Sequence, residues 1–145
     1  MAFTVFDASL ELKAAGAAVT STGSTTGIAV AGRFLPHCDW IVNVTAIDFT
    51  TTDETYIFTL EASNLVGGTY TALATLAWLG SRGVGQAHVP IDGERVQWAN
   101  TTGAFLRVTA TLAGTSPSVT YTSFLGKATD RMGTGTRVGD IVAVV

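Results

Sequence analysis

The chain has 145 residues, of which 47% are hydrophobic and 13% charged, and its formal net charge is −3. This length suits one domain with a real core, and a charged fraction about half the usual one points to a surface partly covered by something else. Eight basic residues spread among eleven acidic ones supply no nucleic-acid-binding patch, no apolar run reaches membrane-helix length, and Cys38 alone permits no internal disulfide.

In chain order, MAFTVFDASLELK lacks a basic start and is interrupted by Asp7 and Glu11, so no signal peptide is expected. Residues 7–15 fit either a helix capped by Asp7 or an extended arm with Leu10 and Leu12 on one side, and the arm is the preferred reading. Residues 17–22 and 26–30 read as short strands flanking a TGST turn. HCDWIVNVTAI, residues 37–47, alternates with Trp40, Val42, Val44 and Ala46 on one face and Ile41, Asn43 and Thr45 on the other. Residues 55–63 set Tyr56, Phe58, Leu60 and Ala62 against Thr59 and Glu61. After the Gly67-Gly68 turn, residues 70–79 form another strand, and residues 86–91 and 95–99 bracket Asp92-Gly93 as a hairpin. Residues 104–112 place Leu106, Val108, Ala110 and Leu112 on one face, and residues 119–125 follow Pro117 as the last strand. Period-two patterning of this kind belongs to antiparallel sheets with one buried face. Eight or nine such strands, with no alternating helices, imply a sandwich or barrel.

Catalytic groupings are scarce. His37 and His88 have no metal-ligand spacing. On a strand, Cys38 faces away from His37 and Asp39, so the three do not converge. No GxSxG elbow exists, and the glycine-rich stretches 80–85 and 133–139 lack a phosphate-loop lysine. Asp53-Glu54 lies in TTTDET, where a solvated turn is expected instead of glycosidase chemistry. No catalytic residue, metal ligand or cofactor is therefore assigned. Trp40 and Trp78 are expected in the core, which leaves Trp98 as the one tryptophan placed to stack on a sugar.

Charge is uneven along the chain. Residues 1–80 hold two basic and seven acidic groups and residues 81–145 six basic and four acidic, so an acidic front of −5 precedes a rear of +2. That asymmetry would favour head-to-tail contact between copies; the alternative reading is that surface charges fell this way by chance. The tail KATDRMGTGTRVGDIVAVV ends in a β-prone run suited either to strand addition on a neighbour or to an edge strand of its own domain.

The succession DASLEL, IAVAG, WIVNVTAIDF, YIFTLEAS, VPIDGE and FLRVTATLAG, covering about residues 7–126, resembles the jelly-roll cement, or decoration, proteins of tailed bacteriophages. Its most specific part runs from Val89 to Gly114, and the likeness fades after Lys127. The resemblance implies an all-β antiparallel sandwich, a jelly roll of about eight strands; the residues themselves divide the chain into an N-terminal arm (1–15), a domain (16–126) and a C-terminal arm (127–145). It also implies a non-enzymatic homotrimer on the capsid exterior. Such a protein is made in the host bacterial cytoplasm, binds the major capsid protein and needs neither nucleic acid nor membrane. The contact residues expected in the arms are Phe3, Val5 and Phe6 at the start and Arg131, Arg137, Ile141, Val142, Val144 and Val145 at the end. The alternatives are a carbohydrate-binding sandwich of a tail fibre, read through Trp98, and another virion part such as a tail-tube or head-completion protein.

Overall fold

The computed structural model describes residues 6–30, 37–92, 105–126 and 143–144. Among the described residues, ten strands form two antiparallel sheets. They are β1 (Phe6–Lys13), β2 (Gly23–Ser24), β3 (Ile28–Ala29), β4 (His37–Ile47), β5 (Thr55–Ser63), β6 (Thr71–Trp78), β7 (Gly85–Asp92), β8 (Phe105–Ala113), β9 (Val119–Gly126) and β10 (Ala143–Val144). One sheet has the order β1-β9-β4-β7, and the other has β10-β6-β5-β8-β2 with β3 also on β8.

β2 and β3 pair with successive stretches of β8, Gly23 opposite Ala110 and Ile28 opposite Leu106, so they fill one strand position. Counting them as one and setting β10 aside leaves eight positions with orders 1-8-3-6 and 2-7-4-5. This interleaving, with the chain crossing repeatedly between sheets, is the strand order of a jelly roll.

Alternation in the sequence becomes burial in the sandwich. Trp40, Val42 and Val44 of β4 face Tyr56, Phe58 and Leu60 of β5 across the core, joined by Leu76, Trp78, Val108 and Tyr121. Phe58 meets the edge of Trp78 at 6.3 Å between centroids and packs tilted against Tyr121 at 4.7 Å. Burial pushes the Tyr121 phenol up to about 12, because a phenolate there would lose its water. The Trp40 indole N–H donates to Ser123 Oγ at 2.8 Å, which satisfies the one polar atom of that ring inside the core.

Several expectations need correction. Ala46 does not follow Trp40 inward: a register shift between Val44 and Ala46 reverses the parity, leaving Ala46 exposed and turning Ile47 onto the core. The 17–22 and 26–30 strands do not flank a turn. Val19 bridges to Val119 of the first sheet, and the chain then crosses to β8 of the second. There, hydroxyls replace part of the backbone ladder: Leu112 N donates to Thr22 Oγ1 at 2.9 Å and Val108 N to Thr25 Oγ1 at 3.0 Å. β7 takes its ladder from β4, while residues 95–99, the other half of the expected hairpin, lie outside the described residues. Residues 6–13 are extended, as preferred, and form the edge strand beside β9, with Leu12 buried.

Candidate functional site

The β4–β5 connection is a knot of carboxylates and hydroxyls. Asp48 accepts from the N–H and hydroxyl of Thr50. Thr51 donates its N–H to Glu54 Oε1 at 3.0 Å, and its single hydroxyl proton lies between Glu54 Oε1 and Asp53 Oδ1. Thr115, from the β8–β9 turn, adds an N–H to Asp53 Oδ1 at 3.1 Å and a hydroxyl to Oδ2 at 2.9 Å. The Thr51 hydroxyl is the largest influence holding both carboxyls below their ordinary range; Thr115 reinforces it at Asp53, and desolvation opposes it at both. The expected solvated turn is overturned at Glu54, which is only 3% exposed and whose Oε2 is buried with no hydrogen-bond partner. Folding the turn back on itself covers the side chain, because Thr52 adopts φ 64° and Gly114, at φ 101°, packs flat against Asp53 and Glu54. Among the described residues no three His, Cys, Asp or Glu side chains converge as metal ligands. The knot's visible work is to pin two turns together.

The outward face of the second sheet carries an ordered polar row. Glu61 and Arg107 stand directly opposite on β5 and β8, with Arg107 Nε 2.7 Å from Glu61 Oε2. Thr109 donates to the same oxygen at 2.8 Å, and Ser24 meets Thr109 at 2.7 Å. The Arg107 guanidinium lies 3.9 Å from the centre of the Tyr70 ring, so an aromatic plane, a cation, an anion and two hydroxyls share one flat surface. On the first sheet, Cys38 points into the core, and Asp39 lies on the opposite face of β4, where it too is buried at 2% exposure. Asp39 Oδ2 lies 3.6 Å from His88 Nδ1 on the neighbouring strand.

The exposed large apolar side chains of the described residues lie on turns. Among the described residues, the large hydrophobics that are exposed are Leu65, Val66, Leu79 and Val84, between 53% and 66%. They occupy the turns at the two ends of β6. The turn before β6 is tied by Gly68 N to Leu65 O at 3.0 Å, Leu65 N to Ser63 Oγ at 3.2 Å and the Tyr70 hydroxyl to Val66 O at 2.9 Å. The turn after β6, a 3₁₀ turn at Gly80–Arg82, is tied by the Trp78 indole N–H to Gly83 O at 2.9 Å and by Arg82 to Gln86 O at 2.9 Å. Arg82 also stacks 4.3 Å over the Trp78 ring. A Cβ at Gly80 would fall 2.0 Å from the Phe49 ring, so only glycine admits this packing. Both tips are held displays of apolar surface.

Of the contact residues expected in the arms, Phe6 lies in β1 opposite Gly126 and Val144 in β10 opposite Thr75. Phe3, Val5, Arg131, Arg137, Ile141, Val142 and Val145 lie outside the described residues, as does Trp98. No described helix is long and apolar enough to cross a membrane. Comparison with family models, with curated proteins and with solved structures finds no match to the chain.

Proposed function

We propose that this chain is a structural virion protein that binds the outer surface of a phage capsid as a trimer and stabilises the shell. The observation that carries the reading is the conjunction of a jelly-roll strand order with apolar side chains held out on fastened turns. Jelly rolls serve in viral capsid and lectin domains alike, and projecting apolar groups on a charge-poor body suit attachment to other protein surfaces. The sequence resemblance supplies the capsid, and trimeric valency would raise weak single contacts to useful affinity. In this reading the protein has no reaction to catalyse and holds no cofactor. Light scattering behind size exclusion should give three chains per particle, and the protein should co-sediment with phage heads. A monomer that leaves heads in the supernatant overturns the proposal.

A second reading, carbohydrate recognition, is favoured by one observation, the flat row of Tyr70, Arg107, Glu61, Thr109 and Ser24. Stacking and bidentate polar contacts of this composition suit a sugar ring. Glycan-array binding that disappears with Tyr70→Ala, in a protein that ignores heads, would move the assignment there.

A further inference from the structure

We propose that the outer edge of β6, where β10 pairs, is where a second copy of this chain docks, by receiving the neighbour's C-terminal strand β10 in place of its own. The inference deepens the self-association part of the reading above and rests on it; capsid binding plays no part in it.

A sheet edge exposes unpaired N–H and C=O groups and invites another strand unless it is blunted. The described strands leave four such edges, and three are defended. β1 carries Asp7, Glu11 and Lys13. β7 carries Pro90, which removes a donor. The edge made by β2 and β3 is broken into two-residue pieces. β6, Thr71–Trp78, has eight residues with neither a charge nor a proline. Among the described residues, its partner β10 covers Thr75 and Leu76. The apolar tips Leu65, Val66, Leu79 and Val84 flank this same strand at both ends.

The occupant follows from what already sits there. β6 accepts this chain's own terminus in an antiparallel register, Ala143 opposite Leu76 and Val144 opposite Thr75. An identical chain offers the same strand with the same side chains. By sequence, sixteen residues separate Gly126 from Ala143 (143 − 126 − 1). At ~3.3 Å per residue they span up to roughly 50 Å, enough for the pairing to be made at home or on a neighbour. Exchange costs no ladder bonds, because the same ones are re-formed, and it brings a second body against the apolar tips. Passing β10 from each copy to the next is a heterologous contact, which forms a ring where the rotation between copies closes.

The test uses full-length chains. Residues directly opposite in an antiparallel ladder have Cα atoms ~4.5–5.5 Å apart, within disulfide range. Thr75→Cys and Val144→Cys chains are co-expressed and oxidised, with each single variant and the double variant alongside; Cys38 is buried and out of reach. The expected result is a disulfide-linked pair at twice the chain mass from the mixture, absent from either single variant. Closure of the double variant within one chain, with no linked pair from the mixture, overturns the inference even if the protein is a trimer. A linked pair from Thr75→Cys alone means edge-to-edge pairing and overturns it too. A monomer by light scattering sinks the assembly reading itself, which keeps the two failures distinct.

Discussion

Replacing Ser123 by alanine removes one oxygen from the middle of the core and leaves the Trp40 indole N–H with no acceptor. Both side chains have 0% exposure and the bond is 2.8 Å long, so water cannot replace the lost partner. A buried donor stripped of its acceptor costs about 1–3 kcal/mol, more than the net worth of the bond itself. The volume lost is a single atom, so the cavity contribution is small beside that. For a domain of this size about 1 kcal/mol lowers the melting temperature by about 3–4 °C, which places Ser123→Ala roughly 3–12 °C below the parent. Urea unfolding followed by circular dichroism gives the free energies. A cycle with Trp40→Phe, which removes the donor as well, should show coupling of about 1 kcal/mol or more, because the double variant no longer buries an orphaned N–H. A Ser123→Ala protein within about 0.5 kcal/mol of the parent, or a strictly additive cycle, would refute the argument that this bond satisfies the core.

Two further outcomes follow from the turns. Gly114→Ala forces a side chain into φ 101° and sets its Cβ 2.6 Å from Asp53 O and Glu54 Cα; it should cost about 2–3 kcal/mol in urea unfolding, and an unchanged midpoint would contradict the close approach described. Asp53 and Glu54 titrate below their ordinary values of 3.8 and 4.5 when folded, chiefly through the Thr51 hydroxyl. Their depressed values mean that the stabilisation is complete above the ordinary carboxylate range and is lost as pH falls through the folded values. The urea midpoint should therefore drop on acidification below about pH 4–5, and Asp53→Asn should flatten that limb; an unaltered acid limb in this variant would refute the assignment.

Much of the architecture is readable from the letters because period-two patterning has only one structural meaning in β4, β5 and β8. Trp40, Phe58 and Val108 recur at even spacing and all end in the core. Pattern alone does not reveal a bulge, since an inserted residue reverses every later side chain: Ala46 is lost to this effect, and the register shift at Leu60/Glu61 is equally silent. Nor does it show Thr22 and Thr25 standing in for backbone groups, because a strand threonine and a ladder-completing threonine look the same. The exposed large apolar groups that the structure describes lie on turns. Leu65-Val66 and Leu79 each adjoin a strand and read as its continuation, and only the placement of the turns pushes them into solvent. The absence of charge and proline from residues 71–78, set against their presence in 6–13 and 85–92, was the legible signal for an undefended edge.

The position of β9 between β1 and β4 has a consequence for biosynthesis. Among the described strands β1 pairs with β9 alone, which follows it by more than a hundred residues, so this edge of the first sheet is unable to form until β9 is made. Assembly by such distant pairings is slow compared with local folding, and during that wait the uncharged β6 is already synthesised. A cell filling with many copies at once would expose one chain's waiting border to another's. Quaternary association and tertiary completion would then compete for the same interval.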